Sequence, residues 1–290
     1  MTLASTSDLV AAAIENRSAV LAFNAITVEH AEGIAEGVAR AGAAALIQIS
    51  ENTVRFHGGQ LAPITAACAQ IAAQCTAPLA VHLDHIQDFA LLDEVIATAS
   101  TLGATSVMID AAHLHSDDNV RQTAAFAARA HDAGLWVEAE LGQVGGKDGR
   151  VLGAHEPGAR TDPHEAAAFA AQTGVDALAV AVGSSHAMTT RDAELDMALI
   201  ADIADAVSIP LVLHGSSGVS DENLGAAVAA GIRKVNVGTA LNIAYTGAVR
   251  AVLSSDAALT DPRKYLVPAR TAVADTVAHL CQVVAGVKAS

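Results

Sequence analysis

The sequence predicts a single closed (β/α)8 barrel, and three observations support the prediction. Short aliphatic runs, typical of strands buried on both faces, alternate along the chain with alanine-rich stretches of helical spacing. This alternation repeats eight times, as a closed barrel of parallel strands requires. The chain of 290 residues is long enough for one barrel, and no low-complexity linker divides it. Residues 1–290 are therefore expected to form one domain.

Glycine or proline at the helix-to-strand junctions marks the second to eighth predicted strands in order, and an aliphatic run near the start of the chain adds the first. Glycine just after a helix adopts the left-handed backbone conformation without a clash of a Cβ atom. Gly42 and Gly103 precede the second and fourth strands in this way. The predicted strands cover residues 20–25, 45–50, 79–84, 106–110, 136–141, 177–182, 211–214 and 234–239. Extra helices are predicted at residues 7–16 and 271–287, outside the eight units.

An open, doubly wound sheet is the alternative fold. Such a sheet usually has fewer strands, and it often has a glycine-rich turn after the first strand. In this chain Ala25, Ile26 and Thr27 stand at that turn, so the glycines are missing. The barrel is therefore the favoured prediction.

The composition limits the classes of partner. The chain has 16 basic and 31 acidic side chains, a net charge of −15, which argues against binding to nucleic acid or an anionic membrane. Its three cysteines, Cys68, Cys75 and Cys281, form no CxxC pair and indicate neither a disulfide framework nor a thiolate zinc site. No signal segment or long apolar run is recognisable. These features predict a soluble, cytoplasmic protein.

Ionisable side chains gather where several predicted strands end, which is where barrel enzymes place their active sites. Histidines stand at the ends of three different strands, and catalytic zinc sites commonly use three protein ligands, with a position left for substrate or water. The candidate ligands are His85, His186 and His214. Asp84 precedes the first of them, and other carboxylates end neighbouring strands. The sequence therefore predicts a metal site at this end of the barrel.

Small residues rich in hydrogen-bond donors follow the seventh and eighth strands. Backbone N–H groups approach an anion closely when side chains are small, and a following helix N-terminus adds partial positive charge. The residues concerned are Gly215, Ser216, Ser217, Gly218, Asn236, Val237, Gly238 and Thr239. Small residues also form plain tight turns, but the position of these segments, where barrels commonly hold phosphate, favours an anion site. Residues 142–160 predict a long, glycine-containing loop, which is typical of either a lid or a surface excursion.

The ordered motifs along the chain resemble those of the class II, metal-dependent ketose-bisphosphate aldolases, which include fructose-bisphosphate and tagatose-bisphosphate aldolases. The most specific motif is His-Leu-Asp-His at residues 82–85. The resemblance covers almost the whole chain. Its motifs stand at residues 22–24, 81–85, 106–110, 137–142, 145–146, 179–183, 213–215, 234–237 and 261–266.

The resemblance implies a lyase that cleaves a phosphorylated ketose, fructose-1,6-bisphosphate or tagatose-1,6-bisphosphate, reversibly to dihydroxyacetone phosphate and an aldehyde. It places one Zn²⁺ per subunit on His85, His186 and His214, and the acid/base role on Asp84. Asn236 falls near the enediolate, and Asp110 and Glu140 fall near the metal or an alternate metal position. Dihydroxyacetone phosphate contacts fall on Ala187, Gly215, Ser216, Ser217, Asn236, Val237, Gly238 and Thr239.

The family likeness also implies a role in carbohydrate metabolism, such as glycolysis, and a homodimer or homotetramer. It leaves open whether a monovalent cation assists phosphate binding. The partner it implies is a small phosphorylated sugar, with no nucleic acid and no membrane.

Two positions depart from the family pattern. Asp148 stands in the loop where family members commonly carry a glutamate that moves the proton at C3, and its side chain is one methylene shorter. Ala187 replaces a common glycine, and Arg191 stands near a usual lysine position. We therefore expect the reaction class to be kept and the substrate to be altered, so a different ketose or a ketose monophosphate is an alternative.

Functions of two other classes compete with this one. A metal-dependent hydrolase of the amidohydrolase type usually has a His-x-His pair on its first strand, but residues 20–25 contain no histidine. A barrel that has lost catalysis and serves as a binding partner remains an alternative, and such a barrel has no reason to retain stoichiometric zinc.

Overall fold

A computed structural model describes residues 3–141, 160–184 and 189–285. Within these residues eight parallel strands close into a barrel in the order β1 to β8, and β8 pairs with β1. The predicted (β/α)8 barrel is confirmed. The strands are β1 (Val20–Asn24), β2 (Ala45–Ser50), β3 (Leu79–Ile86), β4 (Ser106–Ile109), β5 (Trp136–Leu141), β6 (Ala177–Val180), β7 (Leu211–Leu213) and β8 (Ile232–Val237). That residues 1–290 form one domain stays a prediction.

Helices surround the barrel, and a short 3₁₀ turn, Ser216–Gly218, follows β7. They are α1 (Thr6–Glu15), α2 (Val28–Ala41), α3 (Glu51–Phe56), α4 (Leu61–Gln74), α5 (Phe89–Leu102), α6 (Ser116–Asp132), α7 (Pro163–Thr173), α8 (Met197–Ala206), α9 (Asp221–Ala230), α10 (Thr239–Ser255) and α11 (Arg263–Val284). Both extra helices exist, but α11 begins earlier than the prediction at residue 271. In the described part of the chain, no helix is both long and apolar enough to cross a membrane.

Helix α1 covers the N-terminal end of the barrel. Its apolar residues Leu9 and Val10 pack against Val20 and Leu46, which lie inside the first strands. The Thr6 hydroxyl lies 2.7 Å from the hydroxyl of Ser106 on β4. Because this end is covered, the site must be sought at the opposite end, where the strands finish.

Helix α11 packs closely along α2 at two glycines. A Cβ atom on Gly33 would lie 2.8 Å from the carbonyl oxygen of Arg270, and one on Gly37 would lie 2.5 Å from that of Ala274. Real side chains do not approach backbone this closely, so only glycine allows the two helices to touch at these positions.

Strand alternation divides the buried residues between two environments. Outward-facing hydrophobic residues such as Phe23, Ile47 and Leu83 pack against the helices in the main hydrophobic core. Inward-facing positions carry polar residues in the middle of the barrel, among them the fully buried Gln48 and Glu138. Polar side chains in a closed interior need hydrogen-bond partners. Gln48 and Glu138 form hydrogen bonds with Asp84 and His214, at the end of the barrel where the strands finish.

Candidate active site

An irregularity in β3 brings two consecutive side chains to the end of the barrel. The register between β3 and β4 shifts between Leu83 and Ile86, and His85 has a φ of 50°, in the left-handed region that residues other than glycine rarely adopt. In a regular strand, neighbouring side chains point to opposite faces. Here Asp84 and His85 both line the same cavity. This local conformation creates the centre of the candidate site.

Three side chains, one on β3, one on β5 and one directly after β7, form a possible metal-binding group. His85, Glu140 and His214 each offer a ligand atom, and these atoms lie within 4.8 Å of one another. Glu140 Oε2 lies 3.7 Å from His85 Nδ1 and 3.4 Å from His214 Nδ1. The two imidazole rings meet edge to face, with centroids 4.6 Å apart. Imidazole nitrogens with one carboxylate oxygen are a donor set that suits Zn²⁺.

Carboxylates surround the two histidines. Burial lowers the pKa of His214, but hydrogen bonds with Glu138 and Glu140 outweigh burial and raise that pKa to about 9. His85 Nδ1 lies 3.0 Å from Asp110 Oδ2, so Asp110 also belongs to the cluster. Negative charge on these acids supplies the potential that a bound cation requires.

The loop after β3 is fixed to α3 by a buried carboxylate. Glu51 Oε2 accepts hydrogen bonds from the backbone N–H groups of Gln87, at 2.5 Å, and Asp88, at 2.9 Å. The Gln87 side chain in turn donates to Asp110 Oδ2 at 3.0 Å. This chain of contacts holds Asp110 where it reaches His85.

Asp84 is buried, and three amide groups surround its carboxylate. Its Oδ2 accepts hydrogen bonds from Asn24 Nδ2 at 3.2 Å and Gln48 Nε2 at 3.3 Å, and its Oδ1 accepts one from Asn236 Nδ2 at 3.3 Å. Burial raises the pKa of Asp84, but positive charge on His85, the other nearby histidines and Lys234 outweighs burial and lowers it. The carboxylate is therefore held ionised at neutral pH.

A cavity of about 500 Å³ lies beside these residues. On one side it is lined by Asp84, His85 and Asn236. On another it is lined by the small residues Gly215, Ser216, Ser217, Gly238 and Thr239, and at its rim it reaches Ser50, Asn52 and Arg55. The structure thus brings most of the residues predicted to bind phosphate to the same cavity as His85, one of the candidate metal ligands.

The hydroxyl groups of the serine segment have partners within the protein. Ser216 Oγ donates to the carbonyl oxygen of Asn236 at 2.5 Å, and Ser217 Oγ accepts from the backbone N–H of Ala240 at 3.0 Å. Because Ala240 lies in the first turn of α10, the segment stands against the N-terminus of a helix of 17 residues. A helix N-terminus favours an anion.

Some predicted site residues lie elsewhere or cannot be placed. The side chain of Val237 packs in the hydrophobic core rather than lining the cavity. Arg191 Nη2 donates to Asp221 Oδ1 at 2.5 Å and does not line the cavity either. Asp148, His186 and Ala187 lie outside the described residues. Their roles, like those of the other predicted site residues, stay predictions.

Sequence reasoning did not select three polar residues that contact Asp84 or its partners. Asn24 and Gln48 donate to the Asp84 carboxylate, and Lys234 donates to Asn236 Oδ1 at 2.6 Å. Gln48 and Lys234 are polar residues inside aliphatic strands, and each lies an even number of residues from a polar residue near the end of its strand. Residues at this spacing point to the same face of a strand, so this pattern could have identified both.

Several known proteins resemble this chain in sequence and in fold. The family model described as fructose-bisphosphate aldolase class-II matches residues 4–288. The fructose-bisphosphate aldolases of Geobacillus stearothermophilus and Staphylococcus epidermidis are each 36% identical to the chain over 278 residues, 96% of this chain and 95% of each relative. The crystal structure of the YdjI aldolase from Escherichia coli K12 has a TM-score of 0.81 and 28% identity, and the match covers 98% of this chain and 97% of that one. The similarity therefore extends over nearly the whole chain.

Proposed function

Because the chain belongs to the class II fructose-bisphosphate aldolase family, we propose that it cleaves a phosphorylated ketose reversibly to dihydroxyacetone phosphate and an aldehyde, with Zn²⁺ as its metal. The observation that carries this proposal is the cluster of His85, Glu140 and His214 beside the buried Asp84 carboxylate. We propose fructose-1,6-bisphosphate or tagatose-1,6-bisphosphate as the substrate. A different ketose, or a ketose monophosphate, is the alternative.

The residues that would hold the metal fit the chemistry of zinc. His85 and His214 supply imidazole nitrogens, Glu140 supplies a carboxylate oxygen close to both, and the family resemblance adds His186. Asp110 contacts His85 and helps to orient its ring. A Zn²⁺ ion held by these residues would supply Lewis-acid chemistry, which would stabilise the negative charge left on the three-carbon fragment by cleavage between C3 and C4.

Asp84 is the proposed acid/base residue. In cleavage its carboxylate takes the proton from the C4 hydroxyl, and in condensation it returns a proton to the aldehyde oxygen. The lowered pKa of Asp84 keeps it ionised and ready to act as a base. Amides of Asn24, Gln48 and Asn236 hold the carboxylate in one orientation, and such positioning is required for efficient proton transfer.

The small residues after β7 and β8 are the proposed site for the phosphate of dihydroxyacetone phosphate. Gly215, Ser217, Gly238 and Thr239 line the cavity, and the N-terminus of α10 stands beside them. Backbone N–H groups and the helix dipole provide favourable interactions for a phosphate. Asp148 is proposed to move the proton at C3, and Ala187 is proposed to contact the phosphate, as the resemblance implies.

The experiment is a cleavage assay with a panel of ketose phosphates. Purified, zinc-loaded protein is incubated with fructose-1,6-bisphosphate, tagatose-1,6-bisphosphate and fructose-1-phosphate, and dihydroxyacetone phosphate is measured with a coupled NADH-dependent dehydrogenase. We expect cleavage of at least one member, and the preferred member identifies the substrate. Failure to cleave any member with zinc bound would overturn the aldolase proposal, and failure combined with no zinc binding would support an inactive barrel.

We also propose that the protein acts in the cytoplasm, in carbohydrate metabolism such as glycolysis, as a homodimer or homotetramer. Family membership supports these proposals. Light scattering coupled to size-exclusion chromatography gives the mass in solution, and a mass near 29.2 kDa would contradict the oligomer.

A further inference from the structure

Lys234 lies inside the barrel, below the candidate active site. The side chain is fully buried and does not line the cavity. Its ammonium group has two partners: Glu138 Oε2 on β5, at 2.8 Å, and Asn236 Oδ1, two residues along β8, at 2.6 Å. Burying an ammonium group without partners is very unfavourable, so these contacts are required wherever a lysine stands at this position.

The contact with Asn236 determines which way the Asn236 amide faces. An ammonium group only donates hydrogen bonds, so the atom of Asn236 that faces Lys234 must be the amide oxygen. The amide nitrogen is then turned towards Asp84, and it donates to Oδ1 at 3.3 Å. If Lys234 were absent, the amide could rotate and present its oxygen to a carboxylate, which is repulsive.

The contact with Glu138 connects Lys234 to the metal-binding group. One oxygen of Glu138 faces Lys234, and the other lies 3.0 Å from His214 Nε2. An acceptor at Nε2 keeps a proton on Nε2, so Nδ1, the nitrogen that faces Glu140, is the one that gives up its proton to bind a cation. Lys234 therefore fixes the carboxylate that orients a candidate metal ligand.

We propose that Lys234 is a positioning residue that orients His214 for the metal through Glu138 and orients Asn236 towards Asp84. The inference rests on the proposed function for its catalytic part, whereas its metal-binding part stands on the contacts alone. Since Lys234 does not reach the cavity, it acts through its partners and does not touch the substrate.

The test compares Lys234→Met with Arg233→Met. Both variants replace one basic residue of β8 with methionine, but Arg233 points away from the site and donates to the carbonyl oxygens of Val228 and Ile232. Zinc affinity of the apo proteins is measured by competition with a chromophoric chelator. We expect Lys234→Met to bind Zn²⁺ about 10- to 100-fold more weakly than the wild type, as loss of an outer contact to a ligand typically causes. Arg233→Met should bind as the wild type does.

A second variant keeps the test valid if Lys234→Met does not fold. The double variant Lys234→Met/Glu138→Gln removes the buried charge pair as a whole, and the amide oxygen that replaces the carboxylate at position 138 can still accept from His214 Nε2. We expect it to melt near the wild-type temperature and to bind zinc within a few-fold of the wild type. Its kcat should still fall more than about 10-fold, with KM little changed, because Asn236 has lost its anchor.

The outcomes separate this inference from the proposed function. If Lys234→Met binds zinc as tightly as the wild type, Lys234 does not orient His214 through Glu138. If the stable double variant has the wild-type kcat, Lys234 does not orient Asn236 towards Asp84. If the wild type binds zinc but cleaves no ketose phosphate, the proposed function fails, and the zinc affinities still decide the role of Lys234 towards the metal.

Discussion

At the scale of single residues, the environment of Asp84 determines what its carboxylate can do. Three amide donors and nearby positive charge keep it ionised although it is only 3% exposed. The three donors in direct contact are uncharged amides, but positive charge on His85, the other nearby histidines and Lys234 lowers the pKa of Asp84, so the ionised carboxylate accepts a proton as a weak base. A lysine or arginine in direct contact would make the same group an even weaker base.

Replacement of Asp84 tests this directly. Asp84→Asn keeps the size of the side chain and removes its ability to accept a proton, so we expect kcat to fall about 10²- to 10⁴-fold. Bound zinc, measured by atomic emission, should stay at the wild-type level because Asp84 is not in the metal-binding group. Activity within about tenfold of the wild type would contradict the acid/base assignment.

Part of the site could be predicted from the sequence at this scale, and part could not. His85, His214 and Glu140 end predicted strands, so their convergence followed from the barrel itself. The left-handed conformation of His85 could not be predicted, because the sequence there gives no glycine or proline to mark a break in the strand. The contacts of Lys234 could not be predicted, because the sequence does not show that its side chain is fully buried.

At the scale of elements, junction glycines allowed the strands to be placed in sequence. Helix boundaries were harder to predict, because Pro268 stands inside the first part of α11 and proline is the poorest helix former. Helix α3 was also not distinguished, since it is only six residues long and lies between β2 and α4. Tertiary packing rather than local propensity defines both elements.

The contact between α2 and α11 gives a prediction about stability. Gly37→Ala places a Cβ atom 2.5 Å from the Ala274 carbonyl oxygen and 2.7 Å from Val277 Cβ. The helices must separate to accept it, so we expect a loss of about 1–3 kcal/mol in the free energy of unfolding. Urea unfolding followed by circular dichroism measures this loss.

Gly225→Ala is the matched control, because Gly225 lies within α9 and nothing stands within 4 Å of a Cβ atom there. Alanine is the better helix former, so this variant should gain about 0.5–1 kcal/mol. If the two substitutions changed the free energy of unfolding equally, the close approach of α2 and α11 would not be the reason for glycine at position 37.

At the scale of the whole molecule, the barrel brings together candidate ligand atoms from strands that are far apart in sequence. His85 and His214 meet only when the strands between them have formed their closed order. A cation that needs both histidines at once therefore binds the folded chain and not the unfolded one. Binding of this kind stabilises the fold by mass action, by about 2.7 kcal/mol at a concentration roughly 100 times the dissociation constant.

Removal of the metal should therefore lower both activity and melting temperature. Dialysis against EDTA is expected to abolish ketose cleavage, and added Zn²⁺ should restore cleavage and raise the melting temperature of the apo protein. His214→Ala should lose the zinc-dependent rise in melting temperature. His279→Ala should retain it, because His279 is exposed and pairs with Asp221 on the surface. A wild-type melting temperature that does not respond to zinc would rule out this site.

The shifted register in β3 has a consequence for how such a protein can change over evolution. Asp84 and His85 are joined by one peptide bond, so the spacing between the proposed base and the candidate metal ligand is restricted by covalent geometry and does not depend on loop movement. Residues at the cavity mouth, such as Asn52 and Arg55, belong to a separate short helix. Substitutions at the cavity mouth can thus change the preference for one sugar over another, while Asp84 and His85 keep their relative positions.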